Sequence, residues 1–251
     1  MLGVLGGVGP AAGSDLFKKI IEETKAYSDQ EHLPVALYSL PGRIEDRTGF
    51  LEGEVKVNPG IEMARICMEM EKAGVTTLGI PCNTAHSPKI FDKIKEQLRN
   101  EASQLKVIHL IEENISFLKN LFQPQTKIGV LSTNGTYEQK LYQIKIEEAG
   151  FQCILPKEDL QRDLVHNAIY HYSYGIKSTG AKITELARAQ LHHVMDLMKE
   201  QQVEGIILGC TELPLALTTS EYRNILLIDA TRVLARALIR EYDPTKLKPF
   251  G

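Results

Sequence analysis

Residues 75–82 read VTTLGIPC and residues 203–210 read VEGIILGC, so an apolar run ends in a cysteine twice, 128 positions apart. The tripeptide GVL occurs at residues 3–5 and again at residues 129–131, at an offset of 126. Each GVL begins a short apolar segment that is followed by a helical pattern, which is typical of a βα unit. The two offsets therefore predict two halves of similar plan, each with a strand that ends in a cysteine.

Short apolar segments of the buried-strand kind alternate with amphipathic stretches along the whole chain. They are LGVLGG (2–7), PVALYSL (34–40), TTLGIP (76–81), KVIHLI (106–111), KIGVLST (127–133), FQCILP (151–156), GIILG (205–209) and ILLID (225–229). Strand followed by helix, repeated in this way, predicts an α/β fold with a largely parallel sheet flanked by helices in each half.

The last strand and the helix after it come when the second half is already complete, so we expect this tail to return to the first half. The predicted first domain is therefore discontinuous, with residues 1–115 plus 222–251. The predicted second domain comprises residues 116–221.

Composition predicts an ordinary globular protein. The chain has 251 residues, of which 43% are hydrophobic and 24% are charged, and its formal net charge of −3 is spread without a basic block. Such a balance does not recruit nucleic acid or an anionic membrane. The N-terminus has no basic segment before an apolar one, and no run of about 18 apolar residues occurs. We therefore expect a cytoplasmic protein without nucleic-acid or membrane partners.

Cysteine usage predicts free thiols. The four cysteines lie far apart without a C-x-x-C pair, which in a reducing compartment argues against a disulfide framework. Cys67 lies within a helical pattern and Cys153 within a short strand, so both are expected to be core residues. Cys82 alone would also be interpreted as a core residue, because free cysteine is usually buried. The repeat reverses that interpretation, since Cys210 occupies the same place in the second half.

Polar groups follow both repeated cysteines directly. They are Asn83, Thr84 and His86 after Cys82, and Thr211 and Glu212 after Cys210. Ligands of open α/β sheets bind outside the carboxyl ends of the strands, so both thiols belong at the functional edge of their own sheet. Two acid/base groups that face one carbon from opposite sides can remove a proton from one face and return it on the other. This chemistry inverts a stereocentre, and His86 by itself is expected to be a partly exposed residue at a helix start.

Two cofactor hypotheses are disfavoured. The loop GGVGP supplies Gly7, Gly9 and Ala12 of a dinucleotide pattern, but the second strand does not end in the acidic residue that would hold a ribose. What Gly7 and its neighbours offer is backbone N–H groups at a helix N-terminus, suited to a carboxylate. Cys82, His86 and Cys210 could be three zinc ligands, but a second close-spaced pair is missing. We expect neither a cofactor nor a metal.

A set of motifs carries a resemblance to a known family. The strings LGGVGP, DQEH, EDRT, PCNTAH, STNGTY, IYHYSYGIKSTG and GCTELP, in this order and across nearly the whole chain, resemble the aspartate racemase branch of the Asp/Glu racemase superfamily. The resemblance implies a cofactor-independent racemase of two similar α/β domains related by a pseudo-twofold axis. It also implies an active site in the cleft between them, one catalytic cysteine from each domain, and a homodimer.

The resemblance assigns residues to roles by motif. Cys82 and Cys210 become the two bases. The groups that would hold the amino-acid head group are Asn83, Thr84, Thr133, Thr136 and Thr211, together with the Gly7 loop, with Glu212 as an auxiliary residue. Arg47 and Lys177 match the positions expected to grip a distal carboxylate, and the planar guanidinium of Arg47 suits a carboxylate well. The alternative is that both are loop charges in water, as most such residues are.

The leading hypothesis is a racemase that interconverts L- and D-aspartate, and possibly glutamate, by thiol and thiolate proton transfer at the α-carbon. A related superfamily enzyme with a different or broader amino-acid substrate is one alternative. A non-catalytic binder of small carboxylates is another, and a zinc hydrolase is a third. For every hypothesis except the zinc hydrolase, the expected partner is a small amino-acid or carboxylate ligand.

Overall fold

The computed structural model describes residues 1–180 and 182–249. Its strands are β1 (Leu2–Gly6), β2 (Val35–Ser39), β3 (Thr77–Gly79), β4 (Lys106–Ile108), β5 (Lys127–Ser132), β6 (Gln152–Ile154), β7 (Gly205–Gly209), β8 (Glu221–Tyr222) and β9 (Ile225–Asp229). Its helices are α1 (Pro10–Glu23), α2 (Arg47–Glu52), α3 (Pro59–Lys72), α4 (Pro88–Asn100), α5 (Leu110–Leu121), α6 (Asn134–Glu138), α7 (Leu141–Glu148), α8 (Glu158–Leu160), α9 (Asn167–Tyr170), α10 (Ile176–Thr179), α11 (Glu185–Glu200), α12 (Leu213–Ala216) and α13 (Ala230–Tyr242).

The chain divides into two compact units. The first unit comprises Met1–Glu113 and the chain from Thr231 onward, and the second comprises Asn114–Ala230. Among the described residues, the first unit contains a four-stranded sheet in the order β2-β1-β3-β4 with every pair parallel. The second contains a five-stranded sheet in the order β6-β5-β7-β9-β8, parallel except for β8. The predicted α/β class with mostly parallel sheets is confirmed.

The internal repeat is visible in the register of the two sheets. Gly3 of β1 faces Leu78 of β3, and Gly129 of β5 faces Ile206 of β7, which reproduces both sequence offsets. A Cβ atom on Gly3 would meet Val75 and Met70, and one on Gly129 would meet the side chains 128 positions later, Val203 and Met198. The first strand of each unit therefore has a glycine at the equivalent position, because a helix packs against that position in the same way in both units.

The boundary of the tail differs from the prediction. Strand β9, which the sequence analysis assigned to the first domain with residues 222–251, is hydrogen-bonded to β7 in the second sheet. Its backbone pairs with the edge of β7, so the strand belongs to the second sheet, where β8 is its other neighbour. The chain from Thr231 onward, which includes nearly all of α13, belongs with the first unit. There Arg232 binds Glu23 of α1 at 2.6 Å, and Arg236 binds the same carboxylate.

Each unit has its own apolar core. Cys67 is fully buried in the core of the first unit, as predicted, and Cys153 is half-buried in β6. All four cysteines are free thiols.

Within the described residues, no helix is long and apolar enough to cross a membrane.

Candidate active site

Cys82 lies in a buried polar turn that follows β3. Residues 80–87 are all buried, and Cys82 is 9% exposed. The backbone N–H of Cys82 donates to the carbonyl of Ile80 at 2.8 Å, and a short 3₁₀-helix, Thr84–His86, leads into α4. Such a concentration of buried polar side chains is unusual in a turn, since burying polar groups is costly. Asn83 and Thr84 share this turn with the thiol, as the sequence predicted.

His86 lies deeper than the sequence analysis predicted. It is 2% exposed rather than partly exposed, and its ring is stacked on Phe91 and meets the edge of His109. Burial, and then the neighbouring His109, lower the pKa of His86 to about 3, so the ring is neutral near pH 7. Its Nδ1 lies 2.8 Å from the carbonyl oxygen of Cys82, and because a carbonyl only accepts, Nδ1–H donates. His86 therefore anchors the backbone of Cys82.

The buried His86 makes stability depend on pH. We expect the free energy of unfolding to fall between pH 6.5 and pH 3, because the unfolded chain binds a proton in that range and the folded ring does not. The loss reaches on the order of 5 kcal/mol, since one pKa unit corresponds to about 1.4 kcal/mol. Urea denaturation at several pH values measures it. His86→Asn keeps a donor for the carbonyl but cannot titrate, so its curve should flatten over this range.

The control for that measurement is His193→Asn. His193 is exposed on α11, so this variant should follow the pH dependence of the parent chain. A His86→Asn curve that stays parallel to the parent between pH 6.5 and pH 3 would contradict the assignment.

Arg47 and the Gly7 loop are brought together in the first unit. The guanidinium of Arg47, at the start of α2, donates to the carbonyl of Val8 and to that of Glu45, the latter at 3.2 Å. Gly7 has a φ of +82°, and a Cβ there would lie 2.7 Å from the backbone nitrogen of Leu40. Arg47 is half-buried and held against the loop, so it is not a free loop charge in water.

Cys210 follows β7 and lies in a buried polar cluster of the second unit. It is 4% exposed, and its thiol donates to Oε2 of Glu212 at 3.0 Å. The Nζ of Lys177 donates to Oε1 of the same carboxylate at 2.6 Å, and the hydroxyl of Thr211 donates to Oε2 at 3.3 Å. Lys177 also lies over the ring of Tyr170, with 5.2 Å between Nζ and the ring centroid. Lys177 is therefore ion-paired inside the unit and not a loop charge in water.

The charges of this cluster are set by burial and by Lys177. Burial and then the Glu212 carboxylate raise the pKa of Cys210 well above its ordinary value, and Lys177 opposes them only in part. Burial disfavours ionisation of Glu212. The charge of Lys177 and the hydrogen bonds that the Glu212 carboxylate accepts outweigh burial, so the pKa of Glu212 is lowered. Burial likewise disfavours the charged form of Lys177, yet Glu212 raises its pKa above the ordinary value. Near pH 7 the cluster holds a thiol, a carboxylate and an ammonium group.

The predicted polar turn after β5 is braced by residues that the sequence analysis missed. The hydroxyl of Thr133 donates to that of Thr136 at 3.3 Å. The Nε2 of Gln161 donates to the carbonyl of Ser132 at 2.9 Å and to the side-chain oxygen of Asn134 at 3.1 Å. Gln161 begins a π-helical turn, which is rare and is often found at functional sites. No local pattern in QRDLVHNAIY distinguishes this glutamine from a surface residue.

Adjacent strands bring the predicted residues of each unit to one sheet edge. Strands β1 and β3 are hydrogen-bonded neighbours; β1 ends just before Gly7, and β3 ends three residues before Cys82. Strands β5 and β7 are neighbours in the same way, and they end immediately before Thr133 and Cys210. Within residues 1–180 and 182–249, no group of three or more His, Cys, Asp or Glu side chains is arranged to hold a metal ion.

Comparison with known proteins agrees with this architecture. The family model described as Asp/Glu/Hydantoin racemase matches residues 5–238. The chain belongs to this family. The broad specificity amino-acid racemase RacX of Bacillus subtilis (strain 168) is 26% identical over 254 aligned residues, which cover 96% of this chain and 98% of RacX. The family match confirms the resemblance drawn from the motifs, and the chain is an isomerase of the racemase type.

Solved structures share the fold. The aspartate racemase of Picrophilus torridus superposes with a TM-score of 0.80 at 28% identity, over 98% of this chain and 95% of its own. The glutamate racemase of Francisella tularensis, crystallised with D-glutamate, superposes with a TM-score of 0.64 at 17% identity, over 100% of this chain and 84% of its own. At that identity, the second likeness concerns the fold alone.

Proposed function

We propose that this chain is a cofactor-independent amino-acid racemase that interconverts L- and D-aspartate, with Cys82 and Cys210 as its two bases. One observation carries the proposal. Each thiol follows the third strand of its unit, within a buried polar turn, in two units whose first three strands have the same order. A repeated thiol at equivalent edges is what two-base inversion at one carbon requires. The two units are proposed to be the two domains, with substrate in the cleft between them.

The proposed reaction exchanges two protons and leaves the number of protons on the enzyme unchanged. Cys82, as the thiolate, removes the α-proton from one face of the bound amino acid. Cys210, as the thiol, gives its proton to the α-carbon on the opposite face and becomes a thiolate. The reverse reaction exchanges these roles. The groups proposed to hold the head group are Asn83, Thr84, Thr133, Thr136 and Thr211 together with the Gly7 loop.

Arg47 supports aspartate as the first substrate to test and glutamate as the second. Its guanidinium is oriented by two backbone carbonyls, and a planar fork suits a carboxylate. Lys177 was predicted to share this task, but its ammonium is already paired with Glu212. With Arg47 as the single cation at the distal end of the substrate, the site would also accept amino acids with other side chains. One relative is named a broad specificity amino-acid racemase. A broader amino-acid range is therefore the second candidate.

The test is inversion and α-proton exchange in heavy water. L-Aspartate, D-aspartate, both glutamate enantiomers and a panel of neutral amino acids are incubated with the protein without added cofactor. We expect both aspartate enantiomers to approach a racemic mixture while α-hydrogen is replaced by deuterium. No inversion and no exchange with any member of the panel would dispose of the proposal. Inversion that is equally fast for neutral amino acids would favour the broader range.

Replacing Arg47 by methionine should separate the substrates. Loss of a charge-assisted hydrogen bond costs about 1.5–3 kcal/mol, so kcat/KM for aspartate should fall by about 10- to 100-fold. Racemisation of alanine should change much less, because alanine has no distal carboxylate. Steady-state rates on both substrates measure the effect.

Arg43→Met is the matched control for Arg47→Met. Arg43 lies four residues away, and its guanidinium binds Glu62 and Glu69 on the surface at 2.7 Å. Its loss should leave the ratio of aspartate to alanine activity unchanged. An equal loss on both substrates in Arg47→Met would instead mean that Arg47 only braces the loop.

The remaining expectations from the family resemblance stay predictions. They are a homodimer, a cytoplasmic location and the absence of a cofactor. Sedimentation at several protein concentrations measures the oligomeric state. Activity of protein that has been treated with a chelator and dialysed checks that no dissociable metal or cofactor is needed.

A further inference from the structure

One π-helical turn, Gln161–His166, holds the polar turn after β5 at two points. At one end of this π-turn, Nε2 of Gln161 donates to the carbonyl of Ser132 at 2.9 Å. At its other end, Nδ1 of His166 accepts from the backbone N–H of Asn134 at 3.2 Å. Because Ser132 and Asn134 flank Thr133, the backbone on both sides of Thr133 is hydrogen-bonded to the same π-turn.

The π-helical form explains how both side chains reach the polar turn. In an α-helix each residue rotates by about 100°, so residues five apart point about 140° away from each other. In a π-helix the hydrogen bonds join residues five apart, which brings such residues one above the other on one face. Gln161 and His166 are five apart, so the π-helical form lets both side chains face the end of β5.

The burial of Gln161 is not explained by stability alone. Its side chain is 2% exposed, and Nε2 also donates to Oδ1 of Asn134 at 3.1 Å, so both amide hydrogens are used. Among the described residues, its Oε1 has no hydrogen-bond partner. An apolar side chain of similar size would avoid the cost of burying this acceptor. A glutamine at this position therefore points to a task in the polar turn.

The polar turn lies beside the second thiol. In the ladder between β5 and β7, Ser132 faces Gly209, so Thr133 and Cys210 are the next residues of two neighbouring parallel strands. Thr133 and Thr136 are among the groups proposed to hold the head group of the amino acid. A shift of this backbone would therefore move both hydroxyls relative to the thiol.

We propose that Gln161 and His166 are positioning residues, which hold the polar turn after β5 in register with Cys210 so that the turn binds the amino-acid head group. The inference rests on the proposed function for its catalytic meaning. Both residues act through the turn and do not touch the substrate. Their loss should weaken the binding of all amino-acid substrates alike, whereas the loss of Arg47 should affect aspartate far more than alanine.

His166 makes a second contact, which two substitutions can separate from the hydrogen bond. Its ring is stacked on Tyr170 of α9, with 4.9 Å between the ring centroids. Burial lowers the pKa of His166, so near pH 7 the ring is neutral and Nδ1 accepts a hydrogen bond. His166→Phe keeps a ring for the stack but has no acceptor. His166→Asn lacks the ring but keeps an acceptor oxygen near the position of Nδ1.

The test compares these two variants in steady-state kinetics on aspartate and alanine. We expect His166→Phe to raise KM for both substrates by about 3- to 10-fold, the factor that corresponds to one hydrogen bond. Its kcat should change much less, because the head group is held alike in the ground state and in the transition state. His166→Asn should keep KM near the parent value.

A merely structural role for His166 predicts the opposite order. His166→Asn would then be the damaged variant, because it loses the stacked ring, and His166→Phe would behave as the parent does. That order would overturn the inference, and so would a fall of kcat in His166→Phe at unchanged KM.

Gln161→Met tests the other end of the π-turn. Methionine has nearly the size of glutamine but donates no hydrogen bond, so KM for both substrates should rise as it does in His166→Phe. Gln152→Met is the matched control, since Gln152 is exposed on β6 and its amide binds only Gln125 among the contacts described. KM should not change in the control. If Gln161→Met does not fold, the two variants of His166 decide the matter.

Hydrogen exchange without substrate keeps the inference separate from the proposed function. Mass spectrometry follows amide exchange in a peptide that covers residues 131–137 of the full-length protein. Exchange should be faster in His166→Phe and Gln161→Met than in the parent, and unchanged in His166→Asn. Parent protein that racemises no amino acid would refute the proposed function, while the exchange rates still report on the turn. Parent protein that racemises aspartate, with KM and exchange unchanged in His166→Phe, would refute only the role of Gln161 and His166.

Discussion

Serine in place of Cys82 is expected to lower aspartate racemisation by about 10²- to 10⁴-fold, the usual contribution of a positioned acid or base. A hydroxyl has nearly the size of a thiol but is a far weaker acid at neutral pH, so Cys82→Ser cannot supply a thiolate. Cys210→Ser should lose racemisation to a similar extent. Polarimetry on both enantiomers measures these losses.

Proton exchange in heavy water should show which face each thiol serves. A variant with one remaining cysteine can remove the α-proton of one enantiomer and return deuterium to the same face. Cys82→Ser and Cys210→Ser should therefore exchange opposite enantiomers without inverting either of them. Exchange of the same enantiomer by both variants would contradict two bases on opposite faces.

Cys153→Ser is the matched control for both variants. Cys153 is half-buried in β6 and has no role in the proposed reaction, so its replacement should leave both rates unchanged. Racemisation that survives in Cys82→Ser or Cys210→Ser at the level of this control would rule out the two thiols as the bases.

The sequence predicted most of the fold because apolar runs and offsets are local signals. Each of the eight predicted strands is present, and the two offsets reappear as ladder registers. The fourth predicted segment, KVIHLI (106–111), is a strand only as far as Ile108, because the apolar residues after it already belong to the buried face of α5. Strand β8 has only two residues and is defined by its antiparallel pairing with β9, so it has no pattern of its own.

The candidate site was predictable only in part. Both cysteines and their polar neighbours could be found, because they follow strands at repeated positions. The partner of Lys177 could not, since Glu212 is 35 residues away and the contact depends on how α10 packs. The burial of His86 also depends on tertiary neighbours, because Phe91 and His109 enclose it from α4 and from the end of β4.

We expect Gly7→Ala to be the most destabilising single substitution in the part of the candidate site that the first unit supplies. A left-handed residue with a side chain costs roughly 1–2 kcal/mol, and overpacking adds roughly 1–3 kcal/mol. The second cost applies because a Cβ on Gly7 would lie 2.7 Å from the nitrogen of Leu40 and 2.9 Å from that of Pro41, both in the backbone. We therefore expect the free energy of unfolding to fall by about 3 kcal/mol in urea denaturation.

Gly53 provides the control that separates these two costs. Its φ of +85° nearly equals that of Gly7, but nothing lies within 4 Å of an added Cβ. Gly53→Ala should therefore lose only the roughly 1–2 kcal/mol of the backbone conformation and should keep full activity. Gly7→Ala should also lose activity on aspartate, because Val8, whose carbonyl orients Arg47, must move with the loop. Equal destabilisation by the two variants would mean that the crowding at Gly7 relaxes at no cost, and that the loop does not fix the position of Arg47.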